Sequence, residues 1–448
     1  MISNSIYFLA VISSVVSSLR FPYLPEMQLL CLFLVFFVFR SRFKFAVGLV
    51  LVLCTNTYAI PDAVFRLTPE LYPSIYTKNI IYSIKALDIL ALLTFFSAIL
   101  SFSNVLRVRG ITILALVFGI ALLSTALSVF FGVIEWGYFL FYIRGFLLVA
   151  GFFCLVSDFT REQLTKILYF SMFCWVCKML SMILFPSAHV IQREIFGFQW
   201  KIFFAGDEYL YFALISCCVI TMNNFDVNRL VHYKKCFFYC FIALILALIS
   251  QRKGAVPYFF VTFFIMYCSY NGSLLLRLIS NLALMVYASV FFIFFFFIYP
   301  NLPELYQLAF SEYYLLYVSA VDSMINLFDY NPYGAILGLG SMGLYEIISL
   351  PERADHAFSF GGEVGNVYRY AIWNLPFGRL AVNVGLLGFF LVVVFLLTKV
   401  HKLPSTFYMY FSLIPVFGMY GVTPVSAIYI GFTLAVLYKK SVSNSFQE

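Results

Sequence analysis

The chain has 448 residues, of which 63% are hydrophobic, 21% aromatic and only 11% charged, and its formal net charge is +8. Soluble proteins average about 25% charged residues, so this composition excludes a soluble globular domain. Without a basic tail or Arg-rich helix it also gives no reason to expect a nucleic-acid partner.

Apolar runs of roughly the 20 residues that cross a bilayer recur from end to end. Runs such as VFFIFFFFIYP (290–300) lack the strict alternation of a barrel strand. The expected class is an all-α polytopic membrane protein with about 12–14 transmembrane helices. In chain order the spans fall near 5–19, 26–39, 44–60, 80–102, 110–133, 138–156, 165–185, 207–222, 235–250, 255–270, 279–298, 380–399, 405–420 and 423–438. No Lys or Arg precedes the first apolar run and no small-residue cleavage site follows it, so no removable signal peptide is expected. The pattern divides the chain into spans over 1–298, one large loop over 299–378, and spans with a short tail over 379–448. The cysteines fall in spans or at their ends. Cys174 and Cys177 form a C-x-x-C on a predicted membrane helix, where they read as small packing residues, and the long loop has none for a disulfide framework.

Loop cations set the expected orientation. With the N-terminus inside, the inner loops carry Arg40, Arg42 and Lys44; Arg107 and Arg109; Arg161 and Lys166; Arg229, Lys234 and Lys235; Arg277; and Lys399 and Lys402, with Lys439 and Lys440 near the tail. This follows the positive-inside rule. The 299–378 loop then lies outside and is rich in acids. Its first part, ELYQLAFSEYYLLYVSAVDSMINLF, spaces Leu305, Leu308, Leu315, Val318, Val321, Ile325 and Phe328 as an amphipathic helix. DYNPYGAILGLGSMG follows as a turn, with Gly334, Gly338 and Gly340 giving it tightness.

Under this topology Arg252 and Lys253, in LISQRKGA, fall on the outer side, where the charge rule offers no reason for them. Arg144 in FYIRGF and Arg379 at the start of a late span join them. An ionisable group at membrane depth is costly and marks a site by default. Arg grips phosphate through a planar fork and Lys acts as a point charge, so these four form a candidate pyrophosphate clamp. Snorkelling to headgroups is the bland alternative for each of them. His356, beside Asp355 in the outer loop, is the candidate general base, with Glu363 and Asp355 as carboxylate alternatives. Arg353, Arg369, Tyr333 and Trp373 are candidate glycan contacts; the aromatics read equally as an interfacial belt. No His/Cys cluster has metal-ligand spacing and no nucleotide-binding fingerprint occurs, so neither metal nor cofactor is expected.

Three pieces in order resemble the O-antigen polymerase and ligase superfamily. LISQRKGA is similar to its S-x-R-x-G-A-like turn through Ser250, Arg252, Gly254 and Ala255. NPYGAILGLGSMG is similar to its N-P-x-x-G-x-G-x-G-like loop segment. GRLAVNVGLLGFFLVVVF looks like its E-x-G-L-L-G helix, with Asn383 where an acid is common. Ala357 follows His356 where the ligase branch has a polar residue. The resemblance, over about residues 240–400, implies a GT-C-like membrane glycosyltransferase in a bacterial inner membrane with both termini cytoplasmic. It would polymerise polyprenyl-pyrophosphate-linked repeat units, which serve as both donor and acceptor, alongside membrane lipids and a chain-length regulator protein. A ligase loading glycan onto a lipid core, and a flippase of the same lipid-linked glycan, are the alternatives.

Overall fold

The computed structural model describes residues 4–19, 21–38, 40–56, 84–99, 136–185, 190–195, 198–203, 208–223, 227–249 and 424–445, with shorter pieces within 75–81, 119–130, 259–266, 297–303, 336–346, 367–368 and 385–391. These residues are mostly helical. The helices are α1 (Asn4–Ser18), α2 (Leu24–Phe37), α3 (Arg42–Thr55), α4 (Ala86–Ile99), α5 (Trp136–Ser157), α6 (Arg161–Leu184), α7 (Glu208–Asn223), α8 (Arg229–Ile249) and α9 (Pro424–Ser445). Among the described residues, α6 and α8 are long and apolar enough to cross a membrane, while stretches such as α1, α2 and Ala86–Phe96 of α4 are apolar but shorter. The spans expected over 110–133, 255–270, 279–298, 380–399 and 405–420, and the amphipathic helix after Glu304, lie largely or wholly outside the described residues.

The chain divides into two compact units. Met1–Val108, Leu147–Tyr267 and Pro424–Glu448 form the first, and Arg109–Phe146 and Cys268–Thr423 the second.

Local chemistry sets the helix starts in the first unit. Thr160 accepts from the Gln163 amide and Gln163 returns a bond to the Thr160 amide, a reciprocal capping box that starts α6. The Lys85 amide donates to Asp88 at 2.8 Å, which fixes the start of α4. The span expected from residue 80 therefore begins as a helix only at Ala86, because Asn79–Ile81 (β1) and Ile84–Lys85 (β2) pair as a small antiparallel ribbon. Regular structure also lies between the spans expected near 165–185 and 207–222. Val190–Ile195 (β3) and Phe198–Phe203 (β4) form a six-pair antiparallel hairpin.

Helix α1 is polar inside and apolar outside. Ala10, Ser13, Ser14, Ser17 and Ser18 are buried, while Phe8, Leu9, Val11 and Ile12 are exposed. This inverts the soluble pattern and suits a bundle in hydrocarbon, where small residues and hydroxyls bind helices together. Ser13 bonds Thr55 of α3 at 2.8 Å, Gln28 of α2 donates to Ser13 at 2.8 Å, and Asn56 donates to Gln28 at 2.8 Å. Ser18 bonds Ser181 of α6 at 2.8 Å.

These pairs also give helix direction. Tyr7 packs edge-on against Phe170 and Phe173, and Ser18 meets Ser181, so α1 and α6 run parallel. Arg42 pairs with Asp158 at 2.9 Å, putting the start of α3 beside the start of α6 and the end of α5. Arg161 donates to Asn223 at 3.0 Å, bringing the end of α7 to the same level. Tyr211 stacks on Tyr429 and Cys218 contacts Thr433, so α9 runs parallel to α7. Helices α1, α3, α6 and α8 thus leave one end of the unit, and α2, α5, α7 and α9 return to it. That end gathers Arg40, Arg42, Lys44, Arg161, Lys166 and Arg229.

Helices α4 and α5 cross where Gly151 meets the Thr94 backbone; a Cβ there would lie 2.8 Å from the Thr94 carbonyl carbon and oxygen. Gly151→Ala is expected to lower the melting temperature in detergent, because overpacking of about 1–3 kcal/mol outweighs a helix-propensity gain of about 1 kcal/mol. Gly119→Ala, with nothing within 4 Å of the new methyl, should leave it unchanged or raise it slightly.

Candidate functional site

Of the residues expected to act on a pyrophosphate, Arg144 is described. It sits in α5, thirteen residues before Ser157 or about 20 Å along the helix axis, and is 6% exposed. Its guanidinium is thus buried within an apolar helix. Arg252, Lys253 and Arg379, the candidate bases His356, Glu363 and Asp355, and the glycan candidates Arg353, Arg369, Tyr333 and Trp373 lie outside the described residues.

In the second unit two of the motif segments meet. Gly338 of NPYGAILGLGSMG has φ +84° and Gly385 of GRLAVNVGLLGFF has φ +64°. Both glycines are buried, and a Cβ on Gly385 would stand 2.3 Å from the Ile336 carbonyl oxygen and 2.5 Å from the Gly338 nitrogen. Two backbones approach this closely only where a side chain is missing, and the left-handed φ at each also favours glycine. Short strands Tyr345–Glu346 (β5) and Val367–Tyr368 (β6) pair antiparallel in the same unit.

A separate polar centre lies in the core of the first unit. Lys178 on α6 is 1% exposed. Its ammonium stands 4.6 Å from the centre of the Trp175 ring, a contact worth about 2 kcal/mol or more when desolvated. Tyr211 stacks on Trp175 at 5.5 Å and on Tyr429 at 4.7 Å. The Tyr429 hydroxyl accepts from the Trp175 indole N–H, bonds Ser171, and lies 3.2 Å from the Cys54 sulfur. Four helices, α3, α6, α7 and α9, are joined at this point. Cys174 is buried beside it, and both Cys174 and Cys177 carry free thiols.

Sequence reading passed over Lys178. The available signal was one cation deep in a 24-residue apolar helix, by default a functional mark. Hydropathy averaging dilutes it, because WVCKMLSMIL still reads as a span. At the cationic end, Tyr169 meets His232 Nδ1 at 3.0 Å with the two rings stacked, and Lys235 lies 5.5 Å from the Tyr169 ring centre. His232 is thus built into the α6–α8 contact. Among the described residues no group of three or more His, Cys, Asp or Glu could hold a metal ion.

No family model, no curated protein and no solved structure matches the chain.

Tyr429→Phe strands the buried Trp175 N–H without its acceptor. It is expected to cost about 1–3 kcal/mol, read as a lower melting temperature in detergent. Tyr23→Phe, whose side chain is exposed just before α2, is the control and should melt close to the wild type.

Proposed function

We propose that the protein is a polymerase of lipid-linked glycan repeats, a GT-C-like integral-membrane glycosyltransferase with about fourteen spans in a bacterial cytoplasmic membrane. The observation that carries this reading is the meeting of two resemblance motifs, far apart in sequence, at Gly385 and the Ile336–Gly338 backbone. A close glycine-on-backbone contact between the long loop and the helix after it is what a loop held rigidly over a reaction centre requires.

Sidedness adds support. Cations gather at one end of the first unit, and the positive-inside rule makes that end cytoplasmic, with the N-terminus there and α9 running back toward it. Helix α8 leaves that end and stops at Ile249, three residues before Arg252. The loop-charge reading likewise puts Arg252 and Lys253 on the outer side, where flipped lipid-linked substrates would wait.

In the reaction, a hydroxyl of the acceptor glycan attacks the anomeric carbon of the donor sugar. The new glycosidic bond forms as the C–O bond to pyrophosphate breaks, and polyprenyl pyrophosphate leaves with the bonding pair. Arg252, Lys253, Arg144 and Arg379 neutralise charge on that leaving group, the term that dominates such transfers. His356, Glu363 or Asp355 takes the hydroxyl proton. Arg353, Arg369, Tyr333 and Trp373 hold the glycans, and the long loop excludes water.

Three outcomes separate the readings in a strain lacking the protein. Single repeats on the lipid core mean a polymerase, no repeats on the core with polymer still made mean a ligase, and lipid-linked repeats trapped on the inner side mean a flippase. Arg252→Ala with Lys253→Ala, expressed at the normal level, should shorten the polymer ladder strongly; an unchanged ladder removes the pyrophosphate role. Gly385→Ala forces a methyl into the Ile336 carbonyl and should abolish polymer, whereas Gly119→Ala should retain it.

A further inference from the structure

Between α6 and α7 the chain forms a hairpin that the glycan reading does not use. Helix α6 starts at Arg161 and runs for 24 residues, about 36 Å at 1.5 Å per residue, against a hydrocarbon core of about 30 Å. Around its far end Leu180, Leu184 and Phe185 are exposed, an apolar outer surface that suits lipid. Strand β3 starts six residues past Leu184, α7 starts five residues past Phe203, and β4 touches α6. Connections this short keep the hairpin near the end of α6 that lies farthest from Arg161.

The register sorts the hairpin into two unlike faces. Opposed residues, and every second residue along a strand, share a face. One face carries the pairs Ile191–Ile202, Arg193–Trp200 and Ile195–Phe198. The other carries Gln192–Lys201 and Glu194–Gln199, with Val190–Phe203 at the open end. Two strands alone are marginally stable in water, so the first face needs cover. Arg193, in the middle of that face, favours one kind of cover. A protein core takes an arginine poorly, because a buried charge there needs a hydrogen-bonded counter-charge, and the residue opposite Arg193 is Trp200. A bilayer surface takes it well. The guanidinium meets phosphate while its stem stays at the acyl boundary, and Trp is the ring enriched at that level.

We infer that this hairpin lies on the phospholipid surface at the end of α6 remote from Arg161, its Ile191, Ile195, Phe198 and Ile202 face on the lipid and Arg193 among the phosphates. It is an interfacial anchor that holds the α6–α7 connection against the bilayer. The inference rests on the bundle crossing a membrane, and not on glycan chemistry.

The test uses the full chain in phosphatidylcholine vesicles whose acyl chains are brominated near the headgroup. An environment-sensitive fluorescent amino acid replaces Ile195, Glu194 or Leu180, one at a time; Leu180 is the control within a span. At 195 the emission should shift to the blue, be quenched by the brominated lipid and resist aqueous iodide. At 194, on the opposite face, iodide should quench and the lipid should not. Arg193→Glu sets a carboxylate against the phosphates and should reduce lipid quenching at 195, whereas Lys201→Glu should not. Iodide quenching at 195 overturns the inference, since the face would then stand in water. Protection at 195 from both quenchers overturns it too, since the face would then pack on protein, as does equal lipid quenching in the two charge variants. If the lipid quenches neither 195 nor 180, the membrane reading fails and the anchor falls with it; quenching at 180 alone removes the anchor and leaves that reading standing.

Discussion

The structure depends on interhelical hydrogen bonds and close backbone contacts in a bundle whose inside and outside are equally apolar. In hydrocarbon, an apolar side chain gains little by turning inward, so hydrophobicity does not decide which face of a helix is buried. Helix α1 makes the point, with Phe8, Leu9, Val11 and Ile12 outward and its serines inward. Ser13, Gln28, Thr55 and Asn56 form one bonded chain across three helices, and Ser18 ties α1 to α6. Where hydroxyls are absent, glycine does the same work by letting backbones meet, as Gly151 does at Thr94 and Gly431 at Phe153.

Within that frame the charges are sorted by depth. At one end of the first unit they are exposed and partnered in part across helices, through Arg42 with Asp158 and Arg161 with Asn223. Deeper in, a cation persists only with specific company. Lys178 lies over Trp175, beside the tyrosines and hydroxyls that join α3, α6, α7 and α9. Arg144 is buried in the apolar helix α5. Both are ionisable groups in apolar helices, where burying a charge is costly.

Much of the architecture was legible in residue order. The helices begin and end close to the hydropathy spans, because each needs an unbroken apolar run and a capping signal such as Thr160–Gln163 at one end. The alternating direction was legible too, since loop cations alternate for an electrostatic reason that acts on the chain itself. The hairpin Val190–Phe203 escaped notice because its strands are mixed in polarity and lie among loop-like residues, although Gly197 between two strand-favouring runs was a turn signal. Lys178 escaped because a sliding window averages it away. The Gly385 contact with Ile336–Gly338 joins segments almost fifty residues apart, and no local pattern announces that two backbones will touch.

The sequence by itself determined the apolar, mostly helical class and which ends of the helices carry cations. Transfer of apolar segments into a bilayer and retention of cations on one side depend on composition and order alone. Only the tertiary structure decided which face of each helix is inward, where Lys178 comes to rest, and that the glycines of two distant motifs meet. Those outcomes are set by hydrogen bonds and steric fit between helices, which are pairwise properties of residues far apart in the chain.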